Sequence, residues 1–315
     1  MPAEVNESLA TLSDQLILVT VLLYLGAMIC YALDLAFGRA RTVVAERRRQ
    51  LVGAGGPALP EETAEASGPQ PAAWAARAGT VGVVLTWIAW AGNLAGILTR
   101  GVAVGRWPWA NMYEFVVAIC FAAVTAFLAL LIRQPIRFLG AFVTVTAALG
   151  LGFAVLFLHV QAGPVMPALH SYWIAIHVTA AIVASGLFIL AGVCAILYLI
   201  RKDGRPSVLP SREGLERVAH RAIVISFPIW TFAVIAGALW ADRAWGRYWG
   251  WDPKEVWAFI TWVVYAAYLH ARATAGWRGK AAMIVSLVAF GCLLFNLIGV
   301  NIFFSGLHSY ADVPK

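Results

Sequence analysis

The chain is 315 residues long, 61% hydrophobic and only 12% charged, with a mean hydropathy of +0.78, a balance that excludes a soluble globular domain. A helix needs roughly 20 apolar residues to cross a bilayer, so the length holds about eight spans and their loops. The net charge of +7 follows the loops of such a topology and gives no reason to expect a nucleic-acid partner.

In chain order, apolar runs predict helices over 16–37, 79–99, 113–132, 138–158, 173–200, 222–241, 256–273 and 281–304. The expected fold class is therefore an all-α, polytopic membrane protein of about eight transmembrane helices. The first run is too long for a signal-peptide core and lacks a small-residue cleavage site, so it should stay as a span, making residues 1–50 the first helix and its basic flank. After it, "LVGAGGPALPEETAEASGPQPAAWAARAG" is rich in Ala, Gly, Pro and Glu, and reads as a flexible cytoplasmic linker over 51–78. Residues 79–315 then form a seven-helix core. Basic residues alternate loop by loop: 17 of the 23 Lys and Arg fall on one side and 6 on the other. Since Lys and Arg mark the cytoplasmic side, both termini are expected to be extracytoplasmic, together with the 243–257 stretch.

The four cysteines, Cys30, Cys120, Cys194 and Cys292, fall singly in four different runs. With no CxxC, neither thiol exchange nor covalent haem attachment to this chain is expected, and all four read as small buried residues.

Chemistry points to the six histidines, because ionisable groups are scarce in a membrane. His177 stands just inside the outer end of the fifth run, and His308 follows the eighth. At the same level lies "WGRYWGWDPKEVWAF", residues 245–259, with four tryptophans in fifteen positions. A flat, iron-containing ligand would use this set, with imidazoles above and below the metal and indoles against the ring. Singly, such residues are ordinary features of a membrane interface, but the density of Trp and the glycines between them are not. Asp252, Pro253 and Glu255 also fit a helix start, as N-cap, first helical residue and capping-box partner, and "NMYE" (111–114) repeats the device. Arg243, Arg247 and Lys254 are either solvated charges or partners for ligand carboxylates. His270 lies about 25 Å below the tryptophan stretch by helical rise, and marks either a snorkelling interfacial residue or a second, inner site. His159 and His170 are spare ligands or solvated, and His220 has no assigned role.

"WGRYWGWDPKEVWAFITWVVYAAYLHAR", with "RWPWANMYEF", "PALHSYWIAIHV" and "GVNIFFSGLHSY" in matching order from 107 to 310, resembles the WWD-domain haem-handling family of cytochrome c maturation. The similarity is to its CcsA/ResC-type branch, a subunit of the system II cytochrome c synthase. The resemblance implies that His177 and His308 are the outer axial ligands of haem b, that His270 is the inner one, and that Trp245, Gly246, Trp249, Trp251, Asp252 and Glu255 form the WWD pattern. Arg247 and Lys254 join the cofactor-binding set through their charge.

The function it implies is haem delivery to, and covalent attachment on, apocytochromes c carrying CxxCH, at the outer face of the plasma membrane. It further implies a ResB/CcsB-type membrane partner, thiol-reducing proteins, and no catalytic nucleophile or acid/base. A haem exporter without attachment activity, a b-type haem electron carrier and a structural scaffold are the rivals. Residues 1–100 carry no motif of the family.

Overall fold

A computed structural model describes residues 5–38, 73–163, 169, 171–201, 209–274 and 276–308. Within them the chain is helical, without strands. Eight long helices follow the eight apolar runs: α1 (Glu7–Phe37), α2 (Ala73–Val104), α3 (Met112–Arg133), α4 (Gly140–Phe157), α5 (Tyr172–Ile200), α6 (Arg212–Trp245), α7 (Pro253–Thr274) and α8, which begins at Lys280–Leu294, passes through a π-helical turn at Phe295–Gly299 and ends in Val300–Phe303. A 3-10 turn, Arg137–Leu139, leads into α4. Seven of the described helices are apolar enough to cross a membrane. The remaining one, α7, carries Lys254, Glu255, His270 and Arg272 in its 22 residues. It is amphipathic, and at about 1.5 Å per residue long enough to span. The chain is a multi-pass membrane protein.

Three helices, α1, α2 and α6, start well before their apolar runs, and two of these starts have a local cause. Asn6 caps α1 by accepting the N–H of Leu9, and Ser211 caps α6 by accepting that of Gly214. The added turns of α6 bury Leu215, Val218 and Ala219, the spacing of one helical face. Of the expected linker, residues 51–72 lie outside the described residues, and 73–78 already belong to α2.

The α1–α2 and α6–α7 pairs run antiparallel. In the α1–α2 pair, Asn6 N–H bonds the Ala103 carbonyl, Ser13 Oγ the Gly96 carbonyl, and Thr86 Oγ1 the Tyr31 hydroxyl. In the α6–α7 pair, Trp262 Nε1 donates to Thr231 at 2.9 Å and Trp230 Nε1 to the Ala258 carbonyl at 3.2 Å. These bonds satisfy polar groups that a membrane interior would otherwise leave costly. The bundle therefore has two ends: one tryptophan-rich, where α6 meets α7, and one basic.

At the tryptophan-rich end a buried ion network fastens α1 and α2 to α3. Arg100 lies 3.2 Å from Asp14 and 3.3 Å from Glu114, and Arg106 lies 2.9 Å from Glu114. The side chains of Arg100 and Glu114 are 3% and 1% exposed. At such depth a lone charge is prohibitive, so the pairing is obligatory. His159, exposed and with Nε2 3.1 Å from Asp14, joins this network. His170 lies outside the described residues.

Candidate functional site

The site begins where α6 stops. Trp245 is its last residue, and Gly246 closes it with φ of +70° and an N–H to the Asp242 carbonyl, the left-handed cap that glycine adopts without steric cost. Seven residues later α7 starts at Pro253. Glu255 reaches back as expected, accepting the N–H of Asp252 at 3.1 Å and of Gly250 at 2.8 Å. Asp252 does more than cap. Its carboxylate accepts the N–H of Leu307 at 3.2 Å and Nδ1–H of His308 at 3.0 Å. Burial opposes its ionisation, but the His308 ring and the N–H groups of Leu307 and Lys254 outweigh that and hold the carboxyl below the usual carboxylate range.

His177 sits near the start of α5, which Ser171 caps. Its Nδ1 lies 2.7 Å from the Ala233 carbonyl on α6. A carbonyl only accepts, so Nδ1 carries the hydrogen and Nε2 keeps its lone pair. Gly237, one turn further along α6, makes room: a Cβ there would lie 2.7 Å from Cε1 of the ring. Trp240, one turn on again, lies parallel to the imidazole, with centroids 6.1 Å apart and planes 8° apart. The same indole meets His308 at 5.8 Å and Trp245 at 4.7 Å. Three segments far apart in sequence thus meet around one buried tryptophan.

Between them is a cavity of about 170 Å³, or about 1140 Å³ of empty space when the open solvent at its mouth is counted. His177 and His308 line it with the rings of Trp109, Trp230, Trp240, Trp245, Tyr248 and Trp249, over a floor of Ile174, Val178 and Ala181. Among the described residues, Lys254 is the one Lys or Arg lining it. Its Nζ donates to the Asn296 carbonyl at 3.0 Å. Asn296 is in the π-helical turn of α8, the kind of local widening that recurs at functional sites.

Of the residues singled out from sequence for ligand binding or the WWD pattern, His177, His308, Trp245, Trp249, Lys254 and Glu255 line the cavity. Gly246 shapes the helix end, and Asp252 stands behind His308. Trp251 points outward, 70% exposed, with an unusual φ of +58° and its ring edge-on to Trp249 at 5.8 Å. Arg247 is exposed, its guanidinium lying over Gly250 outside the cavity, and Arg243 is exposed as well. His270 is exposed near the basic end of α7, a full span from the cavity. At that end His220 lies 3.4 Å from the Tyr268 hydroxyl. Trp240, Gly237, Ala233 and Asn296 are not evident from sequence; a glycine and a tryptophan at one-turn spacing, four and seven residues after Ala233, are the only trace. The cysteines are free, with Cys120 and Cys194 buried.

A multi-pass helical bundle with an indole-walled, two-imidazole cavity at one end defines the class. Residues 109–308 match the family model described as Cytochrome C assembly protein. The chain belongs to that family, in its CcsA-type branch. It is 36% identical over 227 residues to the cytochrome c biogenesis protein CcsA of Chlamydomonas reinhardtii, a match covering 68% of this chain and 64% of that one. With CcsA of Synechococcus sp. (strain JA-3-3Ab) it is 31% identical over 296 residues, covering 74% and 84%. The chain thus spans just under two thirds of the algal relative. Among solved structures, Cytochrome c Heme Lyase CcmF superposes with a TM-score of 0.59 at 17% identity, covering 92% of this chain and 46% of that one, a likeness of fold.

Proposed function

We propose that the cavity receives haem b at the extracytoplasmic face of the plasma membrane and presents it for covalent attachment to apocytochromes c carrying CxxCH. The observation that carries this reading is the pair of imidazoles bordering one indole, each with Nδ1 within hydrogen-bond distance of an acceptor, which in the neutral ring places the lone pair on Nε2. That is the arrangement metal-ligating histidines use. The indoles and apolar floor suit a porphyrin face, and Lys254 suits a carboxylate edge.

Haem bound here supplies the vinyl groups, and each substrate thiol adds across one of them, sulfur bonding to the inner carbon and hydrogen to the outer, with no leaving group. The residues of the chain position: they hold the ligand face-on, exclude water from its faces and fix its edge, converting an encounter into an oriented reaction. No nucleophile or acid/base of this chain is invoked. The thiols must arrive reduced, which assigns a role to thiol-reducing proteins. His270 would serve as the inner ligand of a transit site, completed by a ResB-type partner. The positive-inside charge pattern supports this orientation, with both termini outside.

The test is single-turnover attachment. Haem-loaded protein, with its ResB-type partner, is mixed with a reduced CxxCH peptide and the peptide mass is followed. A peptide carrying haem through two thioethers is the expected product. Transfer of haem without a covalent product would instead support the exporter reading.

A further inference from the structure

We infer that Asp252 is a positioning residue, fixing the ring tautomer of His308 and latching the segment after α8 over the cavity. The inference rests on the haem reading above. One carboxylate grips two successive residues, fifty-five and fifty-six positions away: Oδ2 takes the N–H of Leu307 at 3.2 Å and Oδ1 the Nδ1–H of His308 at 3.0 Å. The fit also needs Gly306, where a Cβ would lie 2.5 Å from Oδ2. Asp252 is 6% exposed, so water does not compete for these bonds.

The consequence is chemical. An ionised carboxylate only accepts, so Nδ1 holds a hydrogen, and in the neutral imidazole that leaves on Nε2 the lone pair that binds a metal. The bond is also charge-assisted, which makes Nε2 a stronger donor. His177 gains its tautomer from a neutral carbonyl, that of Ala233, and sits on a helix. His308 lies beyond the end of α8 at Phe303, where no helical hydrogen bonds orient it. The two imidazoles are therefore unequal, and the stronger donor is the one whose orientation depends on a side chain.

Asp252→Asn separates this role from a structural one. The amide keeps the shape, and its oxygen still accepts from Leu307. Its NH2 group then faces Nδ1 of His308, which must accept, moving the ring hydrogen to Nε2 and closing that nitrogen to metal. Haem is titrated into the purified protein with its partner, for wild type, Asp252→Asn, Asp252→Glu and His308→Ala. Haem affinity should fall about 10–100-fold in the Asn variant, the usual consequence of losing such a support, with the spectrum of His308→Ala and partial recovery in the Glu variant.

A second measurement leaves Asp252 untouched. In His308→Gly, free imidazole should restore the low-spin bands. Its 1-methyl derivative, with no hydrogen to give Asp252, should do so at least about tenfold more weakly. Wild-type affinity and spectrum in Asp252→Asn, or equal rescue by the two imidazoles, would overturn the inference. A wild type that binds no haem would overturn the reading beneath it.

Discussion

His177 and Trp240 stand with their rings parallel, 8° between planes and 6.1 Å between centroids, and it is this indole that also borders His308. Trp240 is 2% exposed, so it is at once a core residue and a wall of the site. Trp240→Ala should lower stability by about 3–5 kcal/mol, as for other buried aromatic truncations, and abolish haem retention. Trp240→Phe should keep most of both. Thermal unfolding in detergent with haem quantitation reads the two together. An Ala variant as stable and as well loaded as wild type would show that the indole does neither job.

Gly237 offers a subtler probe. A Cβ there meets the His177 ring at 2.7 Å, closer than any side chain permits, while Gly in a helix interior is about 1 kcal/mol worse than Ala. Gly237→Ala should therefore leave the melting temperature near that of wild type while displacing the imidazole. Loss of the bis-imidazole bands on an intact fold is the expected optical result, and unchanged bands would mean the ring has slack.

The ion network at the same end makes a stability prediction. Glu114→Gln leaves Arg100 and Arg106 without the carboxylate between them, and breaking a buried pair from one side typically costs 3–5 kcal/mol. The melting temperature should drop markedly. Because Asn111 and Met112, at the start of α3, line the cavity, haem affinity should fall with it. A variant that melts like wild type would remove the network from the account.

Trp251 should behave oppositely. A bulky residue at φ +58° is held at a cost of order 1–2 kcal/mol, and its indole is exposed. Trp251→Gly should therefore equal or exceed wild type in thermal stability. If the strain serves to display that ring, attachment to the CxxCH peptide should fall while haem binding persists. Loss of stability would refute the strain argument.

Much of this was legible in the sequence, because helices in a membrane announce themselves by apolar length. The return of Glu255 to the Asp252 N–H and the Asn111 cap on Glu114 follow from local spacing, which sequence records. What it does not record is pairing between distant segments. Asp14 and Arg100 are separated by 86 positions and join only once α1 lies against α2. Asp252 resembles an ordinary helix cap until the tail folds back over it. Arg247 illustrates the converse: its charge lies in the right stretch, but the turn after Gly246 lays it over Gly250 and away from the cavity. Trp240 falls outside the tryptophan-dense stretch, and only the packing of α5 on α6 reveals that it is central.

The most direct test of the account is the optical spectrum of the purified protein with its partner, in wild type and in His177→Ala and His308→Ala. Low-spin bis-imidazole bands in wild type, altered in each single variant and restored by free imidazole, are the expected result. A wild type without haem, or variants whose bands match it, would contradict the claim that these two rings close on one metal.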